Sequence, residues 1–392
     1  MKVMSFFKSG MLAFALASVT LGAARAEVTT IAEHAVIMDF DTGAVLFEKD
    51  ADRPVGPSSM SKLVTVAIVF EKLKAGELKL SDEFSVSEKA WSEREGSTMW
   101  VRVGTKIPLI DLLRGIIVVS GNDACIVIAE NISGTEEAFA DLMTRKAREW
   151  GLKNSTFTNS WGRPDEHHKM STRDLALLTR KIIKEYPEFY KLFAEREFTW
   201  EKIRQPNRNP LLFSFKGADG VKTGHTEDNG YGLIGSALVN GERRIVVVNG
   251  LASEKERAAE SERMMRIAFN DFTRRTLYKA GDVAGDAIVF AGKEKTVPLV
   301  TSEPVSMILA RSSADSVAAK VVYEGPVAAP IAEGQQIGYL KIEVEDGDAR
   351  EFPLYAGKTV KAVGPLGRIG LAVKSLIGGG SSVEGGETSA AR

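Results

Sequence analysis

The sequence predicts an α/β (α+β) protein: one antiparallel sheet of about five strands with helices on both sides, followed by a small β-sandwich. Three observations carry that expectation. Strand-like segments stand at both ends of residues 27–280 with a block of helices between them, so the outer segments must meet in one sheet. Between Gly56 and Gly76 the residues are apolar on nearly every face, which marks a helix buried within a core rather than laid upon it. After Gly281 the pattern changes to short strand-like runs separated by Gly, Pro and Asp.

Taken in order, residues 1–26 read as a secretory signal. Lys2 and Lys8 precede an apolar run too short to span a bilayer, and Ala24-Arg25-Ala26 is a small-residue cleavage site. The mature protein is therefore expected in the periplasm. Residues 34–50 alternate around Asp41-Thr42-Gly43 as a hairpin. Pro57, Ser58 and Ser59 then open the central helix and Gly76 stops it. Residues 81–107 read as irregular to strand-like, with a loop at 96–100. Helices at 108–119 and 123–131 flank Ser120-Gly121-Asn122, and two more follow at 135–150 and 171–186, the latter capped by Ser171. Strands at 220–226, 231–239 and 242–250, the last two joined by Asn240-Gly241, lead into a long amphipathic helix at 254–278.

Beyond it, the runs 286–290, 296–299, 305–310, 318–323, 337–344 and 350–355 make up the sandwich. Near the C-terminus, Leu366, Ile369, Val373, Leu376 and Ile377 fall on one arc at helical spacing. Gly364, Gly367 and Gly370 weaken that helix in water by about 1 kcal/mol each relative to Ala. It is expected to lie on a membrane surface, with docking on the protein's own sandwich as the alternative. The expected organisation is a signal (1–26), a first domain (27–280), a β-sandwich (281–362), an amphipathic anchor (363–378) and a disordered Gly/Ser-rich tail (379–392).

Composition narrows the function. Removing the signal leaves 48 basic against 52 acidic residues, a net charge near −4, with no basic stripe to bind nucleic acid. The one cysteine, Cys125, excludes an internal disulfide, and its apolar neighbours make it a buried structural thiol. Four histidines without ligand spacing give no metal site, and no cofactor is expected. His167 and His168 read as solvated loop residues.

Chemistry concentrates in three short motifs. Ser59 and Lys62 lie one turn apart at the start of the buried helix. A lysine stripped of water favours its neutral form, which can take the proton of a neighbouring hydroxyl. Alone, the pair reads equally as a helix cap with a snorkelling lysine, and Ser5 and Lys8 repeat the same spacing. Ser120-Gly121-Asn122 alone reads as a cap between helices, and Lys222-Thr223-Gly224 as a strand end with a turn glycine. Their joint occurrence, in this order and on a buried helix start, an interhelix loop and a strand, is specific.

Here the chain resembles the penicillin-recognising serine enzymes, and most closely the low-molecular-mass penicillin-binding proteins that act as serine-type D-alanyl-D-alanine carboxypeptidases. The resemblance covers the mature chain from about Ile31 to the C-terminal helix, with local matches at residues 57–62, 121–125, 171–175 and 219–226. It implies the penicillin-recognising transferase fold and a Ser59 acyl-enzyme, with Lys62 as base and Ser120 relaying a proton to the leaving nitrogen. It implies substrate binding by Asn122, Lys222, Thr223, Gly224 and His225, with Lys222 as a fixed positive charge near the substrate carboxylate. The backbone N–H groups of Ser59 and His225 would form the oxyanion hole. Arg208 would stand near the cleft. The implied partners are the peptidoglycan pentapeptide stem, β-lactams, and the inner-membrane surface through the C-terminal helix. Two related readings are an endopeptidase on peptide crosslinks, which usually lacks the sandwich, and a class A-like β-lactamase, whose Glu-x-x-Leu-Asn pattern is missing at 165–169. A wall-binding scaffold is the non-enzymatic alternative.

Overall fold

A computed structural model describes residues 28–311, 317–344, 349–364 and 388–390. The expected signal, and the expected anchor apart from its first two residues, lie outside them. β1 (His34–Asp39) and β2 (Val45–Lys49) form the predicted hairpin. A 3₁₀ turn (Ser58–Ser61) then runs into α1 (Lys62–Lys74), so Ser59 sits on a tighter coil than the helix it introduces. The irregular stretch holds β3 (Glu83–Ser85), α2 (Glu88–Ser92) and β4 (Lys106–Pro108), with β3 and β4 paired. Next come α3 (Leu109–Ile117), α4 (Asn122–Ser133), α5 (Glu136–Glu149) and α6 (Thr172–Glu185). Thr135 and Ser171 cap α5 and α6, each accepting a backbone N–H three residues on. Unforeseen in the sequence are α7 (Pro187–Tyr190), the hairpin of β5 (Glu197–Trp200) and β6 (Ile203–Pro206), and α8 (Leu211–Ser214).

β7 (Ala218–Thr226), β8 (Gly230–Val239) and β9 (Glu242–Leu251) complete a five-stranded antiparallel sheet in the order β2-β1-β9-β8-β7. Alternation in β9 shows how its two faces are used. Ile245 and Val247 join the core beneath α1, α4 and α6, while Val246 and Val248 join Met264 and Met265 of α9 (Glu254–Asn270) on the other side. The predicted helix-covered sheet is thus present.

The helix predicted over residues 254–278 stops at Asn270. Phe272–Tyr278 is instead β10, antiparallel to β13 (Val305–Ala310). Phe272, Thr273, Thr276 and Tyr278 favour an extended, half-buried ribbon, and the charge pattern of α9 had hidden the change of period. Around it lie β11 (Val283–Phe290), β12 (Thr296–Thr301), β14 (Val317–Tyr323), β15 (Val327–Ala328), β16 (Gln336–Val344), β17 (Arg350–Ala356) and β18 (Thr388–Ala390). Among the described residues these form a sheet ordered β15-β11-β12-β17-β16-β14-β18 with its own core of Leu299, Leu309, Leu340 and Leu354. β18 departs from the disordered tail expected there: it adds to the open edge of β14, whose backbone groups accept any short extended partner.

Candidate active site

The site is assembled where the 3₁₀ turn, the α3–α4 connection and the edge strand β7 converge. α1 has no polar face, so Lys62 enters the core with it and is fully buried. No side chain caps either the turn or α1, which leaves the Ser59 hydroxyl uncommitted to the backbone. Lys62 Nζ lies 2.8 Å from Ser59 Oγ, 2.8 Å from Ser120 O, 3.2 Å from Ser120 Oγ and 2.5 Å from Asn122 Oδ1. An ammonium has three protons for these four oxygens; a neutral amine would donate two and accept one, and only Ser59 and Ser120 can donate. Burial pulls Lys62 down from the usual 10.5 to about 8.

Ser120 holds φ +65, a left-handed conformation that costs a non-glycine residue about 1–2 kcal/mol. Its hydroxyl does not cap α4; it lies between the two lysines, accepting from Lys222 Nζ at 2.9 Å. Lys222 is buried too, and burial first, then the charges of Lys62 and Arg208, hold it well below the usual lysine range. Two buried amines thus share one hydroxyl. Asn122 holds the opposite wall, accepting from Lys62 and donating through Nδ2 to Glu95 O at 2.6 Å.

Glycines let these pieces touch. A Cβ on Gly224 would come within 3.0–3.1 Å of Pro57 O, Met60 Cγ and Ser58 Cβ, so its absence allows β7 to lie against the turn bearing Ser59. Gly162, at φ +94, approaches even closer: an added Cβ would fall 2.0 Å from Ser58 O. Asn159 Oδ1 fixes that bend by accepting the N–H groups of Trp161, Gly162 and Arg163, and Thr65 of α1 donates to Ser160 O at 2.7 Å. This 159–163 bend was missed in the sequence, where only its Asn and Gly hinted at a tight turn.

Ser59, Ser120, Asn122, Thr223, Gly224 and His225 line one cavity of about 760 Å³. Lys62 and Lys222 are buried behind its wall, held to it through Ser120. Each residue singled out in the three motifs is thus brought together. The His225 ring is exposed and stacks on Tyr231 at 3.8 Å rather than on a catalytic group. Two guanidinium groups also line the cavity. Arg208 bonds Ser97; Arg257, which the sequence reading missed because it sits in the polar pattern of α9, pairs with Glu254 and leaves its buried Nε without a partner among the described residues. Cys125 is buried, not lining the cavity, and burial pushes its thiol up to about 12. His168 corrects the solvated reading: it packs against Phe157, accepts Thr158 N at 3.3 Å through Nδ1, and burial lowers it to about 4. Among the described residues no group of acidic, histidine and cysteine side chains could hold a metal ion.

Comparison with known proteins gives the following. The family described as D-alanyl-D-alanine carboxypeptidase matches residues 21–253, and the C-terminal domain of penicillin-binding protein 5 matches residues 272–362. The D-alanyl-D-alanine carboxypeptidase DacF of Bacillus subtilis is 35% identical over 349 residues, 88% of this chain and 89% of that protein. Penicillin-binding protein 5 from Haemophilus influenzae superimposes with a TM-score of 0.74 at 33% identity, covering 86% of this chain and 99% of that one. Penicillin-binding protein D2 from Listeria monocytogenes, solved in an ampicillin-bound form, superimposes with a TM-score of 0.57 at 26% identity over 63% of this chain and 100% of that one.

Proposed function

The chain belongs to the D-alanyl-D-alanine carboxypeptidase family, and from that premise we propose that it removes the terminal D-alanine of peptidoglycan pentapeptides through a Ser59 acyl-enzyme. The observation that carries the reading is the 2.8 Å contact between Ser59 Oγ and the amine of a fully buried Lys62. In its neutral form Lys62 takes the Ser59 proton as Oγ bonds to the carbonyl carbon of the penultimate D-alanine. The carbonyl oxygen gains charge, which the N–H groups of Ser59 and His225 are read as receiving, each such donor contributing about 3 kcal/mol. The C–N bond then breaks. The departing amine takes a proton from Ser120, which recovers it from Lys62 or Lys222 at 3.2 and 2.9 Å. Water hydrolyses the ester and frees Ser59. A β-lactam follows the same first half, but its leaving nitrogen stays tethered.

A free carboxylate suits the far end of the cavity. Thr223 offers a hydroxyl, Lys222 stands behind it, and the guanidinium groups of Arg208 and Arg257 add positive charge to the same cavity. This supports a carboxypeptidase over a crosslink endopeptidase. A β-lactamase needs a second base near the ester, and Glu166 is exposed and pairs with His167 outside the cavity lining. We further read residues 1–26 as an export signal and residues 363–378 as a peripheral anchor on the inner membrane. Among the described residues no helix is long and apolar enough to cross a membrane.

The decisive experiment is intact-mass analysis after exposure to penicillin, with peptide mapping of the adduct, alongside D-alanine release from a diacyl pentapeptide. The expected adduct is on Ser59, and Ser59→Ala should lose both labelling and release. Undiminished labelling of Ser59→Ala would overturn the assignment.

A further inference from the structure

The loop that walls the cleft with Glu95, Gly96 and Ser97 is flanked in sequence by an exposed aromatic pair that the chemistry above does not use. Trp91, on α2, is 41% exposed and Trp100 is 50% exposed. The Arg94 guanidinium lies over both indoles, 5.6 Å from the first ring and 5.2 Å from the second. Single exposed apolar residues are ordinary on a protein surface. This pair differs in how it is held. Trp100 adopts φ +69, a conformation a bulky side chain normally avoids. It is kept there by the fully buried Asp123, whose carboxylate accepts the N–H groups of Met99, Trp100 and Val101 at 2.8, 2.8 and 3.0 Å. Asp123 directly follows Asn122 of the site, so the clamp that presents Trp100 is continuous with the catalytic wall. Backbone strain held rigidly beside a site points to function rather than to accident.

We propose that Trp91, Arg94 and Trp100 form a binding face for the glycan strand that bears the stem peptide. This rests on the peptidoglycan reading above and extends it from the reacting peptide to the sugar. A pyranose ring offers a flat C–H face that stacks on indole, while its hydroxyl and acetamido oxygens accept from a guanidinium. An extended peptide advances at most about 3.5 Å per residue, so four residues carry the sugar no more than about 14 Å from the reacting bond. Glu95, next to Arg94, lines the cavity, so the aromatic face adjoins its wall along the chain.

The test compares D-alanine release from a free pentapeptide and from a disaccharide pentapeptide, in the full chain and in Trp91→Ala and Trp100→Ala. Wild type should prefer the disaccharide substrate, and each variant should lose about ten-fold of kcat/KM on it, a stacking-sized effect, while changing less than about two-fold on the free peptide. Unchanged penicillin acylation verifies that each variant is folded. Equal losses on both substrates, or no loss on either, would overturn the proposal. Quenching of tryptophan fluorescence by N-acetylglucosaminyl-N-acetylmuramic acid, which has no stem, provides an independent readout: it should saturate in wild type and weaken in Trp91→Ala. If neither peptide substrate is cleaved, the carboxypeptidase reading fails. The quenching titration then still decides the aromatic face, and absence of quenching in wild type would sink it.

Discussion

The role proposed for Lys62 rests on a side chain that cannot reach water. Lowering from 10.5 to about 8 leaves roughly one amine in ten neutral at pH 7, against fewer than one in a thousand for an ordinary lysine. The second-order rate of penicillin acylation should therefore climb with pH, bend near 8 and level off above it. A rate still climbing above pH 10 would mean that burial does not activate this amine. The same shift sets a sign for stability. Between about 8 and 10.5 the unfolded chain holds a proton that the folded chain has released, so stability should rise with pH through that window. The cost of burying the charged amine, about 3 kcal/mol, is thus fully present below pH 8 and relieved above it. The neighbouring Lys222 shares Ser120 Oγ with Lys62, and burial likewise holds it below the usual lysine range.

At the level of elements, the site depends on two close approaches to one turn. The 3₁₀ coil of Ser58–Ser61 is flanked by β7 at Gly224 and by the 159–163 bend at Gly162. Ser61 Oγ donates to Ser58 O at 3.0 Å, the very oxygen that a Cβ at position 162 would strike. Gly162→Ala combines a left-handed φ with overpacking. It should cost about 3 kcal/mol in urea unfolding and lower penicillin acylation at least ten-fold, because the displaced turn carries Ser59. Wild-type acylation in that variant would show that the turn is not held from this side. Helix α4 contributes differently. Its first residue, Asn122, turns its amide to the cavity wall, and the second, Asp123, spends its carboxylate on the loop opposite.

Across the whole molecule, the catalytic sheet is tied together by a fully buried ion pair. Arg244 of β9 and Asp39 of β1 meet at 2.6 Å, both without exposure, and Arg244 also reaches Glu242 and the carbonyl of Ala268 in α9. Arg274 of β10 joins the same cluster through Asp39 and Asp41, which couples the C-terminal β unit to the outer strands. Arg244→Ala strips the buried Asp39 of its 2.6 Å partner and leaves Arg274 at 3.5 Å, so a loss of about 3–5 kcal/mol is expected in denaturant titration. A loss below 1 kcal/mol would mean that Asp39 finds other compensation. If residues 363–378 are the proposed anchor, truncation after Val363 should release the protein into the soluble fraction with unchanged activity on soluble pentapeptide. Continued sedimentation of the truncated chain with membranes would end the anchor reading.

The alternation in β7 to β9, the largely apolar α1 and the three motifs were legible in the sequence because each is a local pattern, and local patterns survive in one dimension. The strand ends of the C-terminal unit were legible for the same reason. The short elements α7, β5, β6 and α8 were not, and three further features escaped the sequence reading as well. The change from α9 to β10 was hidden because a polar helix and a polar edge ribbon share a composition, and only pairing with β13 separates them. Arg257 and Gly162 are ordinary letters until α9 and the 159–163 bend fold against the cleft. His168 looked solvated until Phe157 covered it. Residue types and spacing sufficed to choose the chemistry; which groups lose water, and so which amine gives up its proton, was decided by packing among segments far apart in the chain.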